Sequence, residues 1–307
     1  MRTRESDHRG LQVGALMCTL SAACYAGLSI LGKLAFAAGL TLTGMLSLRF
    51  LGAALFLAAM LLFLRRATFA GGRTMGRLLL LGGALYAPQA ALFFTGLQRL
   101  PASIAVLLLY VYPVLVALFD WALNRRLPDR RTVMALGIAM VGVVLTLYPQ
   151  PGMKVDPLGA LLVLGSATGL AIYIVLSEGS TRDVGARVGG MWIVLGAGLS
   201  FTLAGAATGT LEWQRAQGEP LLILGLIVVG TVLPVTLFLA GVARVGPTGA
   251  SLLSTLEPVF TVALGVAVLH ESLAPVQAVG GALVLTAAIL VASHTRAAQA
   301  VPTGSRP

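Results

Sequence analysis

Leu252-Leu253-Ser254-Thr255-Leu256-Glu257-Pro258-Val259-Phe260 sets an acid and a proline side by side within an otherwise apolar run from Thr248 to Leu269. Such a run is long enough to cross a bilayer, which takes about 20 apolar residues. An acid near the middle of a span costs roughly 2.5–3.5 kcal/mol on insertion scales, so some interaction must offset Glu257. Pro258 removes one helical hydrogen bond and frees a carbonyl in the turn before it, placing polar backbone at membrane depth. Together they make this stretch the first candidate for a functional site, with a solute path as the starting expectation.

The whole chain shares this apolar character. Of its 307 residues 57% are hydrophobic and only 10% charged, where soluble domains carry about 25% charged residues. With a mean hydropathy of +0.92, it reads as an all-α integral membrane protein that crosses the bilayer several times. A net charge of +10 raises the question of nucleic acid. The basic residues fall in short clusters between apolar runs and have no aromatic-basic face, so they serve orientation in the membrane and no nucleic-acid partner is expected. Cys18 and Cys24 both lie in the first apolar run as small packing residues, and no disulfide framework or metal site follows from them.

Ten apolar segments predict ten transmembrane helices: 11–32, 43–64, 77–97, 102–123, 132–148, 157–177, 188–209, 220–242, 248–269 and 275–293. Residues 1–10 and 294–307 are left as polar tails. With the amino terminus inside, Arg65, Arg66, Arg73, Arg77, Arg125, Arg126, Arg130, Arg131, Arg182, Arg187 and Arg244 all fall on the cytoplasmic side. Lys33, Arg99, Lys154 and Arg215 are left on the other. That asymmetry requires an even number of spans and predicts that both tails are cytoplasmic.

The chain also repeats itself. A shift of 145 positions superposes Leu92-Phe93 on Leu237-Phe238, Gly96 on Gly241, Arg99 on Arg244 and Pro113-Val114 on Pro258-Val259 without a gap. The joint is Tyr148-Pro149-Gln150-Pro151-Gly152-Met153-Lys154-Val155-Asp156-Pro157, whose prolines cannot continue a helix. Residues 11–148 and 157–293 are therefore read as two five-helix repeats. An odd number of spans per half inverts the second repeat, the plan on which many secondary transporters hold their solute near the midplane.

Leu256-Glu257-Pro258-Val259-Phe260, continued through Thr261 to Leu269-His270-Glu271-Ser272-Leu273, resembles the ninth-helix signature of the EamA family of the drug/metabolite transporter superfamily. Tyr110-Val111-Tyr112-Pro113-Val114-Leu115 resembles that family's fourth helix, and Lys33 and Arg49 match basic residues at the ends of its first two helices. The resemblance covers about Leu11 to Ser293. It implies ten helices in two inverted repeats around a central cavity, moving small solutes, commonly outward. Asn124-Arg125-Arg126-Leu127 stands where the family often has a Glu, so a symmetric pair of acids with Glu271 is not expected.

The candidate solute-binding residues are Glu257, Tyr112, Tyr86, Gln89, Thr255 and Arg49, and the candidate helix kinks are Pro88, Pro113, Pro234 and Pro258. Glu257 has three open readings: a proton or cation site, a solute ligand, or a structural hydrogen-bonding group. For Tyr112 cavity lining and packing stand equal. Tyr110, two residues away and about 200° round a continuous helix, is expected to face elsewhere. Tyr86 and Gln89 flank a proline kink that either binds polar solute or simply bends the helix. Arg49 is deep enough in its run to want a partner, either Glu271 or an anionic solute group. Lys33 and Trp213 read as interfacial residues, and Asp120 as a neighbour of Arg125 and Arg126. Thr255, Ser29, Ser254, Tyr25 and Tyr173 are weaker candidates, since hydroxyls in membrane helices often bond their own backbone.

The function expected is secondary transport of an amino acid, nucleoside or similar metabolite or drug-like solute across the cytoplasmic (inner) membrane by alternating access, with coupled protons as one option. No cofactor is expected, and the protein is read as a monomer or homodimer. No Gly-rich phosphate loop of an ATP-driven pump occurs. The alternative is an integral-membrane enzyme acting on lipid or isoprenoid substrates, for which the chain offers no plausible catalytic set.

Overall fold

The computed structural model describes residues 2–64, 71–124, 130–148, 155–182 and 184–299. Arg65, Arg66, Arg125, Arg126 and the side chain of Asp120 lie outside the described set. The described chain is helical, with α1 (Arg2–Ala37), α2 (Leu42–Phe63), α3 (Gly72–Leu80), a π-helical turn (Leu81–Tyr86), α4 (Ala87–Arg99), α5 (Ala102–Leu109), α6 (Tyr112–Asn124) and α7 (Arg130–Thr146) in the first half. The second half holds α8 (Pro157–Arg182), α9 (Ala186–Thr208), the short α10 (Trp213–Ala216), α11 (Pro220–Ile227), a second π-helical turn (Val228–Val232), α12 (Leu233–Ser254), α13 (Leu256–Leu269) and α14 (Pro275–Gln299). Seven helical stretches are long and apolar enough to cross a membrane, and Val133–Thr146, Leu256–Leu269 and Pro275–Leu290 form shorter apolar helices. Helix α1 begins in what reads as a polar tail in the sequence, because nothing among Arg2 to Gly10 breaks a helix.

Four rods are interrupted rather than continuous. The π-helical turns stand immediately before the segments that carry Pro88 and Pro234. The backbone breaks between α5 and α6 just before Pro113, and again between α12 and α13 just before Pro258. Each of these four prolines thus occupies the first turn of a new helical segment, where its missing N–H costs nothing. A further break falls at Gly246, whose φ of 77° lies in the left-handed region that glycine enters without strain.

The halves pack on each other through matching crossings. Helix α1 lies against α12 and α4 against α8, while α2 pairs with α9 and α7 with α14. At one crossing a Cβ on Gly96 would meet Val163 Cγ2 at 2.6 Å and the Gly159 carbonyl at 2.9 Å; at the other, a Cβ on Gly241 would meet Cys18 Sγ and the Gly14 carbonyl. Subtracting 145 from Gly159, Val163 and Gly241 gives Gly14, Cys18 and Gly96, so the same backbone-on-backbone contact is made twice. Small residues at such crossings replace the hydrophobic driving force that lipid removes.

At one end of the bundle the connections are laced together by polar contacts. Thr41 and Thr43 donate to the Thr210 carbonyl at 2.6 and 2.8 Å, and Trp213 Nε1 donates to Ser47 Oγ at 2.8 Å. Trp213 is thus a tie between α10 and α2 as well as a half-exposed aromatic. Asp156 accepts from Leu158 N at 2.8 Å at the start of α8 and from Arg99 at 2.9 Å, which holds its carboxyl below the usual carboxylate range.

Two glycine substitutions test the repeated crossing. Gly96→Ala and Gly241→Ala should each lower the thermal midpoint of the detergent-solubilised protein by comparable amounts, reflecting an overpacking cost of about 1–3 kcal/mol. Gly137→Ala, whose added Cβ would meet nothing within 4 Å, is the control and should leave the midpoint unchanged or slightly raised. Silence at Gly96 or Gly241 would remove the crossing from the account.

Candidate functional site

The interruptions converge on one group of polar side chains. Arg49, from the middle of α2, is 3% exposed. Its Nε donates to Thr231 Oγ1 at 2.9 Å and its Nη2 to the Gly230 carbonyl at 3.4 Å, both in the second π-helical turn. The guanidinium carbon lies 4.6 Å from the Phe50 ring centroid and 5.6 Å from that of Phe94. An arginine at this depth must recover several kcal/mol of lost hydration, and these contacts supply part of it. Glu271 is not the partner: no acid among the described residues lies within ion-pairing distance of Arg49.

Phe50 leads from Arg49 to the aromatic wall. Its ring meets Tyr86 edge-on at 5.7 Å, and Tyr86 meets Tyr173 of α8 at 5.1 Å. Tyr25 of α1 is within Coulombic reach of Tyr86, Tyr173, Arg49 and Glu257 together.

The two broken rods carry Glu257, Tyr110 and Tyr112. The Tyr110 hydroxyl is 2.6 Å from the Ser254 carbonyl and 3.0 Å from Glu257 Oε2. Tyr110 and Tyr112 pack edge to face with centroids 5.7 Å apart. The sequence expectation put them on different sides of a continuous helix. The break at Tyr110-Val111 removes the 100° advance per residue on which that expectation rests, and the Tyr112 ring packs on the phenol that bonds the acid.

Not every candidate joins this group. Gln89 is buried against α8, where Ser166 Oγ donates to its Oε1 at 3.3 Å. Ser166 stands 145 positions beyond Ser21, which donates at 2.7 Å to the Pro234 carbonyl, the position equivalent to Gln89. Both serines therefore fasten the kinked rods to their neighbours, so Gln89 belongs to a helix contact rather than the polar cluster. Thr255 sits at the break between α12 and α13. Residues that sequence reasoning ranked low, Tyr25, Tyr110 and Tyr173, are part of the cluster. Thr231, which accepts from Arg49, was not singled out from the sequence.

Glu271 serves a different end. Its carboxylate accepts from Ala102 N at 2.5 Å, Ser103 N at 3.0 Å and Ser103 Oγ at 2.7 Å, capping α5 from the opposite half of the chain. The chain reaches that position through His270, which takes the left-handed φ of 54°, while Glu271 N returns to the Gly265 carbonyl at 3.0 Å. A Cβ on Gly265 would stand 2.7 Å from both Glu271 Oε2 and Ser103 Oγ, so the close approach needs glycine there. An anion at the amino end of a helix satisfies otherwise orphaned N–H groups and complements the dipole.

Glu271→Ala should lower the thermal midpoint, with a cost of about 1–2 kcal/mol for the lost cap. Ser103→Ala, which leaves both backbone bonds to the carboxylate, should cost less. Equal midpoints for wild type and Glu271→Ala would contradict the capping role.

The chain matches the EamA-like transporter family twice, over residues 12–148 and 157–293. It is 28% identical over 294 residues to the uncharacterized transporter YcbK of Bacillus subtilis, an alignment covering 91% of this chain and 93% of that protein. Against the threonine/homoserine exporter RhtA of Escherichia coli it is 31% identical over 218 residues, covering 69% of this chain and 66% of RhtA. A solved structure described only as the crystal structure of a protein superposes with a TM-score of 0.62 at 19% identity, covering 94% of this chain and 99% of the other. That likeness concerns the fold alone. With both halves matched by the same family, the chain belongs to the EamA-like transporters.

Proposed function

We propose that this protein is a secondary transporter that moves a small metabolite or drug-like solute out of the cell across the cytoplasmic membrane by alternating access. The observation that carries this reading is the meeting of four interrupted rods, two from each half, around Arg49, Tyr86, Tyr110, Tyr112 and Glu257. Broken helices at membrane depth are tolerated where they are buried in protein or line a water-filled path. In this reading the apolar helices make ten spans in two inverted five-helix repeats, with both termini cytoplasmic. The two repeats rock about the glycine crossings. RhtA, a relative of about a third identity over two thirds of its length, is named an exporter of threonine and homoserine. That name favours an amino acid as cargo and outward movement.

The hydrogen bonds of Tyr110 support a proton on Glu257. A phenol has one proton to give, and the Ser254 carbonyl can only accept. The contact to Ser254 is the shorter, 2.6 against 3.0 Å. In this reading the Tyr110 proton stays directed at the Ser254 carbonyl and the longer contact is made by a proton on Glu257, with the phenol oxygen accepting. An acid that carries a proton here and surrenders it when water or solute arrives is what exchange of solute for protons requires.

Purified protein in liposomes, loaded with a panel of labelled amino acids and nucleosides, should release at least one of them faster when the outside is made acidic. Glu257→Gln should reduce that acceleration by about tenfold or more, a loss of at least ~1.4 kcal/mol of coupling. No flux of any solute from wild-type liposomes would sink the transport reading. Wild-type rate and pH dependence in Glu257→Gln would sink the proton reading alone.

A further inference from the structure

We infer that Glu271 is a latch that holds the outer end of the bundle shut at rest, and that the chain carries no equivalent latch at the inner end. This rests on the inverted repeats and alternating access proposed above, and adds to them the state in which the molecule waits.

The cap that Glu271 places on α5 joins the two halves of the chain, since Ala102 and Ser103 lie 169 and 168 positions before it. Other ties at the same end cross between the halves as well. Thr41 and Thr43 reach Thr210, Trp213 reaches Ser47, and Gln277 Nε2 donates to the Tyr148 carbonyl at 3.4 Å. With the amino terminus inside, all these connections fall on the outer side. Separating the halves there, as rocking requires, breaks them together. Hydroxyls, amides and an indole exchange such bonds for water at small net cost, and the exposed pair of Arg99 with Asp156 contributes little. The cap differs. A carboxylate held by two backbone N–H groups and a hydroxyl makes charge-assisted bonds and complements the helix dipole, so its loss costs most.

An inverted repeat that opens outside closes inside through the repeat-equivalent residues, and these cannot rebuild the cap. Shifted by 145 positions, Glu271 falls on Arg126 and Gly265 on Asp120, while Ala102 and Ser103 fall on Pro247 and Thr248. Arginine has donors only and cannot accept from N–H groups. Proline has no N–H to give. Gly265 is needed because a Cβ there would stand 2.7 Å from both Glu271 Oε2 and Ser103 Oγ, and an aspartate in its place brings a side chain into that gap. Of the parts of the cap, only the hydroxyl is kept, as Thr248. A contact made in one state and absent from the other shifts the balance between them by its own free energy. The molecule therefore waits closed outside and open to the cytoplasm, the side from which an exporter takes its cargo.

Amide hydrogen exchange of the detergent-solubilised protein, read by mass spectrometry, tests the latch. Residues 102–103 report the cap itself, residues 210–217 the outer end away from it, and residues 72–75 and 246–250 the inner end. Glu271→Ala should speed exchange at 210–217 by about tenfold, the shift expected from losing one cap, and slow it by a smaller factor at 72–75 and 246–250. Protection gained at the far end is the decisive sign, because simple loss of stability speeds exchange everywhere. Ser103→Ala, which removes one of the three bonds, should move both ends in the same directions by less, and serves if the first variant does not fold. A change confined to 102–103, or faster exchange at both ends, overturns the inference. Failure of the transport reading looks different. Opposite shifts at the two ends with no flux from wild-type liposomes remove transport and leave the latch, whereas wild-type flux with a change confined to 102–103 does the reverse.

Discussion

Backbone carbonyls released inside apolar rods are the constraint around which this protein is arranged. In hydrocarbon an unpaired carbonyl costs several kcal/mol, so each interruption must bring its own partner. The partners are side chains from other helices. Ser200 Oγ donates to Gly83 in the first π-helical turn, Arg49 to Gly230 in the second, Ser21 to Pro234 and Tyr110 to Ser254. All four donors come from the opposite half of the chain to the carbonyl they meet. Interruption and inter-half contact are therefore one feature. A rod that bends or re-forms its hydrogen bonds must exchange a bond with the other half, which ties the shape of each rod to the relative position of the halves.

The same economy explains why the polar cluster is where it is. Arg49 and Tyr110 both bond backbone carbonyls at the interruptions, so the groups that stabilise the breaks are themselves members of the polar cluster. Glu271 stands apart at the end of α13, committed by three hydrogen bonds to the start of α5. The signature in which Glu257 and Glu271 occur together thus carries two jobs: one acid borders the cluster, and the other fastens one end of the bundle.

Much of this was legible in the residues. Pro113 and Pro258, in one register 145 positions apart, marked the two broken rods, and Gly96 with Gly241 marked the repeat, while the crossing they make is seen only in the structure. Gly14 with Gly159 and Ser21 with Ser166 obey the same shift, but single small residues in apolar chains match too readily to be picked out unaided. The tyrosine pair was missed because helical phase was carried through a break. The partners of Arg49 and Glu271 were missed for another reason: Thr231 and Ala102 lie 182 and 169 positions away, and a side chain bonding distant backbone leaves no mark on local periodicity. The π-helical turns show how a proline's effect spreads, since the distortion lies in the turn before Pro88 and Pro234 rather than at them.

The central claim is that the space beside Tyr112 opens to each side of the membrane in turn. Replacing Cys18 and Cys24 by alanine and introducing Tyr112→Cys gives a single thiol at that point. Its reaction with a membrane-impermeant thiol reagent can be followed in sealed vesicles of both orientations. Labelling from both sides, slowed from both by a transported solute, is the result predicted. Labelling from one side only, or from neither, would contradict the account.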